Sequence, residues 1–325
     1  MFTGRKMRLM LELINKCCDQ MCEYLEENGA TSHPMKMLFS KYTNDVIATC
    51  AFGVEVNSLK NPNNDIYEIC QKISGRGKFN FSQMLTFMTL RFFPKIAKIL
   101  GIKILPDEVT NKFTELITHT MEVRQRENIQ RPDMLQLLMN LKSDVKTTWT
   151  DNELVAQCFQ FYIAGFHTTS SVLAFCGYEL ALNSEVQEKL ILEIDEANKH
   201  LNGKSLTYEV ITKMKYMDMF ISEVLRMWPP LLLTNRECKM TYTYEDEDGF
   251  KFTVREGDML QIPIYSVQMD PKNFPDPQTF DPERFSEENK SNINMHAYLP
   301  FGTGPRNCIG VYCLHLNIYY IYNSI

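Results

Sequence analysis

Apolar positions recur three and four apart through most of the first two thirds of the chain, the spacing that lines one face of an α-helix. The period breaks at Asn61-Pro62-Asn63-Asn64 and again across the charged stretch from Arg124 to Pro132. Near the N-terminus, Arg5, Lys6, Arg8 and Glu12 interleave with apolar residues, which predicts an amphipathic helix rather than a secretory signal. Thr150-Asp151-Asn152-Glu153 has the form of a capping box, and no proline follows before Pro229. A helix from Asp151 to Leu182 is expected, ~45 Å long at about 1.5 Å per residue. After Arg226 the helical period gives way to alternation. Thr241 to Val254 reads as a hairpin turning at Asp248-Gly249, and Met259 to Val267 reads as a further strand. An irregular, proline-rich run from Pro271 to Pro282 follows. The pattern predicts a mainly α fold with a small β portion.

The length of 325 residues permits two domains or one large one. With 44% hydrophobic and 23% charged residues the chain has a globular composition, which excludes a disordered or collagen-like polymer. The balance of 34 Lys+Arg against 40 Asp+Glu gives a net charge of −6, and this lack of a basic excess argues against nucleic acid as a partner. The most apolar window, Cys158 to Leu182, carries Gln160, His167 and Glu179, so it reads as a buried core helix rather than a membrane span. Of the ten cysteines, Cys17, Cys18 and Cys22 cluster and the rest are scattered with no paired C-x-x-C spacing, so nearly all are expected to be buried, reduced thiols. Phe79, Phe81, Phe87, Phe92 and Phe93, with Met84 and Met88, concentrate in one weakly periodic segment. Core packing and an adaptable apolar wall over a ligand pocket both fit that composition.

One segment carries more specific chemistry. In Phe301-Gly302-Thr303-Gly304-Pro305-Arg306-Asn307-Cys308-Ile309-Gly310, glycines and a proline build a rigid turn that ends in a cysteine. A helix starting just after Cys308 would point backbone N–H groups at the sulfur, and Arg306 adds positive charge; both favour a thiolate, suited to a soft metal or to nucleophilic attack. The run matches F-x-x-G-x-R-x-C-x-G at every fixed position and thereby resembles the haem-binding signature of the cytochrome P450 family.

Three further segments are similar to that family. Glu223-Val-Leu-Arg226 places a carboxylate and a guanidinium on one helix face, and Pro282-Glu283-Arg284-Phe285 resembles the family's P-E-R-F box. The resemblance implies that Arg284 joins Glu223 and Arg226 in a buried charge network that locks the cysteine loop. Ala164-Gly165-Phe166-His167-Thr168-Thr169 resembles the oxygen-binding helix, with Gly165 letting a flat cofactor approach. A Thr168 hydroxyl can compete for the carbonyl of Ala164, four residues back. His167 stands where the family usually has an acid, so a carboxylate proton relay is replaced either by imidazole or by a space-filling side chain.

The resemblance further implies haem b as cofactor, Cys308 as its axial iron ligand, and Phe301, Gly304 and Gly165 beside it. Arg306 and Arg236 would pair the propionates, and Thr168 and His167 would support oxygen activation. Pro229 to Thr234 would form a strand lining an apolar cavity with Phe159, Ala164 and the Phe79 to Phe93 segment. The implied partners are O2, a lipophilic small molecule, NADPH-cytochrome P450 reductase and, in the full-length protein, the cytoplasmic face of the endoplasmic reticulum membrane. In detail, Phe2-Thr3-Gly4, Glu223 to Pro230 and Thr234 to Cys238 are closest to insect microsomal, xenobiotic-metabolising members. Against that pattern the chain is expected to be one partial haem-thiolate domain over residues 1–325, lacking the family's membrane anchor and C-terminal hairpin. Its leading activity is monooxygenation. A haem-thiolate isomerase or dehydratase, and a non-catalytic or unstable haem-binding fragment, are the alternatives.

Overall fold

A computed structural model describes residues 4–29, 32–73, 84–86, 88–89, 93–103, 105–143, 149–201 and 207–324. The chain divides into two units, Met1–Leu173 with Tyr312–Ile325, and Ala174–Val311. The first contains α1 (Gly4–Asn28), α2 (Met35–Ile47), a π-helical turn (Ala48–Phe52), α3 (Asp65–Ile73), α4 (Pro94–Ile99), α5 (Asp107–Arg126) and α6 (Met134–Ser143). It also holds most of α7 (Asp151–Leu182) and of α12 (Val311–Ser324). The second contains α8 (Ser184–Leu201), α9 (Tyr208–Ile211), α10 (Lys215–Met227) and α11 (Ile264–Gln268). Two antiparallel ribbons lie in this unit, β1 (Thr234–Glu237) with β4 (Met259–Ile262) and β2 (Tyr242–Glu245) with β3 (Lys251–Val254).

Helix α7 spans 32 residues between the boundaries expected from sequence. Its capping box forms: Glu153 Oε2 accepts from Thr150 N at 2.8 Å and from Thr150 Oγ1 at 2.9 Å, while Glu153 N donates to Thr150 Oγ1 at 3.3 Å. These bonds hold the Glu153 carboxyl below the usual carboxylate range. On the helix's inner face Tyr162 and Phe166 join an aromatic core in which the Phe113 ring centroid lies 5.0 Å from Phe159 and 5.5 Å from Tyr162. Tyr162 is buried, yet its Oη sits 2.7 Å from Asn44 Oδ1 and 2.9 Å from Ile66 O, so its polar end is satisfied.

Two expectations are corrected here. The strand beginning at Met259 stops at Ile262, because Pro263 supplies no N–H to the ladder and instead opens α11. Arg124 belongs to α5 rather than to the charged break that follows it. Its buried guanidinium donates to both oxygens of Asp133, at 2.8 and 2.6 Å, and to Phe52 O at 2.7 Å, tying α5 to the π-helical turn and to the start of α6. Phe79, Phe81, Phe87 and Phe92 lie outside the described residues; Met84, Met88 and Phe93 are exposed. Among the described residues no helix is long and apolar enough to cross a membrane.

Asp133→Ala leaves the Arg124 charge buried without its partner, and a loss of about 3 to 5 kcal/mol in denaturant unfolding is expected. Arg131, whose side chain is 34% exposed and 3.5 Å from Asp133, is expected to cost under about 1 kcal/mol on change to alanine. Equal losses for the two variants would contradict this assignment.

Candidate functional site

Helix α10 is amphipathic and buries Met217, Phe220, Ile221, Val224 and Leu225, but it also buries Glu223 and Arg226, neither of which has any exposure. Charges removed from water in this way need close partners. Arg226 donates from Nε to Glu223 Oε2 at 2.7 Å and from Nη2 to Oε1 at 2.8 Å, a bidentate pair within one helix turn. Arg284, on a 3-10 turn over Pro282–Phe285, adds a contact from Nε to Glu223 Oε1 at 3.4 Å. The Asp281 N–H donates to the same oxygen at 3.0 Å. One carboxylate thus faces two guanidinium groups, and backbone carbonyls take up the excess donors: Gln268 O accepts from Arg226, and Pro275 O and Asp276 O accept from Arg284.

Gln268 carries the network toward the cysteine loop, and no sequence motif marked it. Fully buried at the end of α11, it donates through Nε2 to Leu225 O at 3.1 Å and Arg226 O at 2.9 Å. Its Oε1 accepts from Leu299 N at 2.7 Å. Tyr298 Oη donates to Ser222 O at 3.2 Å, and its ring lies 4.9 Å from that of Phe285. Burial pushes the Tyr298 hydroxyl well above the ordinary tyrosine range, so it stays a neutral donor. The only sequence signal for either residue was polarity inside an otherwise apolar or proline-bounded segment.

The loop itself closes on a backbone bond from Cys308 N to Phe301 O at 2.9 Å, with Asn307 N donating to Gly304 O at 3.1 Å inside it. Gly302 and Gly304 turn it at φ of 66° and 79°, a region that side chains disfavour, and a Cβ at either would meet nothing within 4 Å. Space therefore stands open over this turn. Gly310 N donates to Cys308 Sγ at 3.3 Å, immediately before α12 begins. Cys308 is the single exposed member of the ten free cysteines. Burial raises Cys17 and Cys158 each to about 12, out of the thiolate range. Arg306 is exposed on the same loop. Arg236, half-buried in β1, spends Nη1 on Thr234 Oγ1 and Asn235 O, at 3.1 and 2.9 Å, and forms no ion pair among the described residues. The residues before β1 are not a strand: Pro229 and Pro230 have no N–H to give a ladder, and Leu231, Leu232 and Leu233 stand exposed.

In the middle of α7, Thr168 Oγ1 donates to Ala164 O at 2.5 Å. Ala164 and His167 are exposed, whereas Phe159 packs into the core against Phe113. Gly165 departs from its expected role. A Cβ there would lie 2.7 Å from Ile47 Cδ1, so the missing side chain makes room for the end of α2 instead of for a flat cofactor. Although His167 is exposed, partial desolvation by its neighbours, and then the charge of Lys36, lower its imidazole from the ordinary value.

The family model described as Cytochrome P450 matches residues 1–312. The chain belongs to the cytochrome P450 family. It is 43% identical to "Cytochrome P450 9b2" of Drosophila melanogaster over 318 residues, 95% of this chain and 62% of that protein. "Cytochrome P450 9e2" of Blattella germanica is 40% identical over 341 residues, covering 95% of this chain and 63% of the relative. "Cytochrome P450 6j1" of the same species is 34% identical over 312 residues, 95% of this chain and 61% of its own length. The chain thus spans about three fifths of the length of the curated relatives it matches.

Cytochromes P450 bind haem b, and the donor set in the Phe301–Gly310 loop fits that group. An exposed soft sulfur with one N–H bond suits an iron ligand, the open turn at Gly302 and Gly304 leaves room beside it, and Arg306 offers a cation for a carboxylate.

Glu223→Ala leaves two guanidiniums buried without their carboxylate, and we expect a loss of about 3 to 5 kcal/mol in unfolding free energy. Gln268→Leu strands the Leu299 N–H and two helix carbonyls, for a loss of about 1 to 3 kcal/mol. Hydrogen exchange at Leu299 should accelerate in both variants; protection unchanged from the parent chain would contradict the connection.

Proposed function

We propose that the chain is part of a single haem-thiolate domain that inserts one oxygen atom from O2 into lipophilic small molecules, xenobiotic or endogenous. Electrons come from NADPH through a reductase. Cys308 is the observation that carries this reading: among ten thiols it alone is exposed, on the open glycine turn, with a backbone N–H on its sulfur. Haem, when bound, supplies the redox-active iron at which dioxygen is activated.

The chain's own residues supply the rest. Cys308 Sγ binds as thiolate, and the Gly310 N–H donated to it draws off part of the sulfur's charge. Arg306 and Arg236 pair the propionate carboxylates, and Arg236 is already oriented by its bonds to Thr234 and Asn235. Thr168 keeps its hydroxyl on the Ala164 carbonyl and can turn it outward to hold or pass a proton. His167, lowered from its ordinary value, is a neutral imidazole near pH 7 and acts there as acceptor and donor through its two ring nitrogens. Within the full-length protein, this reading places the domain at the cytoplasmic face of the endoplasmic reticulum membrane.

Purified chain supplied with haem should give, after reduction and addition of carbon monoxide, the red-shifted Soret band of a thiolate complex. Cys308→Ser should lose it. With reductase added, NADPH and O2 consumption should rise with a lipophilic substrate. A Soret band unaffected by Cys308→Ser would contradict the assignment, and turnover without reductase would point to isomerase chemistry instead.

A further inference from the structure

In the β2–β3 hairpin of the second unit, strand register sorts the side chains onto two faces. Tyr242 pairs with Val254 and Tyr244 with Phe252, so these four share one side, while Thr243, Thr253, Glu245 and Lys251 share the other. The second face is polar and satisfies itself: the Thr243 and Thr253 hydroxyl oxygens lie 2.9 Å apart, and Lys251 Nζ lies 2.8 Å from Glu245 Oε1. The first face is aromatic. Ring centroids are 5.3 Å apart for Tyr244 and Phe252, and 6.0 Å apart for Phe250 and Phe252. Val254 is buried, but Tyr242, Tyr244, Phe250 and Phe252 are 42–62% exposed, and Met240, two residues before Tyr242, is 76% exposed. The turn that presents this face is fixed by its own bonds: Asp246 Oδ1 accepts from Asp248 N at 3.1 Å and from Phe250 N at 2.8 Å, and Asp246 N donates to Phe250 O at 3.1 Å. A two-stranded ribbon is marginal by itself in water, and one that turns its apolar side outward calls for a covering surface.

We propose that this aromatic face is a self-association surface, on which two copies of the chain pack face to face about a two-fold axis with their ribbons antiparallel. Area, composition and charge select a second copy. Five large side chains at these exposures offer on the order of 500 to 600 Å² a copy, so two faces together pass the ~1,000 Å² that a specific interface needs and reach the size of a weak, reversible one. A two-fold contact requires a surface that complements itself, and Tyr, Phe and Met side chains do so without burying a charge. Charge sets the direction. Asp246, Glu247 and Asp248 follow one another through the turn, and a parallel pair would lay these carboxylates on their own copies. An antiparallel pair instead brings each acidic turn to the other ribbon's base, where Lys239 and Arg255 stand exposed beside Glu237 and Glu256. The same three carboxylates oppose an anionic lipid surface.

The chain as it stands, with no haem added, is enough to test this. Sedimentation velocity across the micromolar range should show a reversible dimer. Tyr244→Thr combined with Phe252→Thr, which keeps strand propensity while removing both rings, should weaken association at least about tenfold with the circular dichroism spectrum unchanged. In an equal mixture of isotopically light and heavy chains, zero-length carbodiimide cross-linking should join Lys239 of one copy to the Asp246–Asp248 turn of the other. Within one copy the four-residue strand β2 holds those groups ~13 Å or more apart, too far for such a link. A monomer throughout the range, or a dimer untouched by the double substitution, overturns the proposal, and association without the Lys239 cross-link overturns the antiparallel arrangement. Sedimentation of a monomeric chain with neutral phosphatidylcholine vesicles, lost on the same double substitution, would overturn it in favour of a lipid surface.

Discussion

Two guanidinium groups converging on the single buried carboxylate of Glu223 impose the constraint around which the second unit is arranged. Both side chains are buried, Arg226 completely, so their surplus donors must find carbonyl oxygens, and one irregular stretch, residues 268–276, supplies them. The irregular run between α11 and the Pro282–Phe285 turn has little regular secondary structure, and carbonyl contacts to arginine define its path. Gln268 adds the step from α10 to Leu299, and from there the chain enters the turn that closes on Cys308. A polar framework thus runs from Glu223 to the segment that leads into the cysteine loop, beside the apolar cluster of Phe274, Phe285 and Ala297.

Burial separates the ten cysteines into chemical classes without any change of sequence motif. Cys17 and Cys158 are pushed to about 12 by desolvation and remain thiols at any physiological pH. Cys308 sits on an open turn beside a backbone donor. In the first unit an analogous economy holds. Arg124 and Asp133 pair inside the core, and in the central turn of α7 the carbonyls of Ala164 and His167 accept side-chain hydroxyls within an unbroken helix.

Local signals were legible in the sequence where a single segment determines its own structure. The Thr150–Glu153 capping box set the start of α7, Asp248-Gly249 set the hairpin, and the spacing of Glu223 and Arg226 put both on one helix face. What sequence could not show were contacts between distant segments. Gln268 looks like any polar residue before an irregular run, yet it satisfies three backbone groups. Gly165 reads equally well as a cofactor cradle and as a close helix crossing, and only the position of Ile47 decides for the crossing. Proline placement also outweighed alternation at Pro263, where a strand signal continued past the last residue able to join a ladder.

The central claim, that the framework built on Glu223 presents Cys308 as the thiolate ligand of a haem iron, is open to iron-edge X-ray absorption on the haem-loaded chain. A single sulfur scatterer bound to iron is expected in the parent chain and its loss in Cys308→Ser. An iron shell of nitrogen and oxygen alone in the parent, or a sulfur that persists after Cys308→Ser, would contradict it.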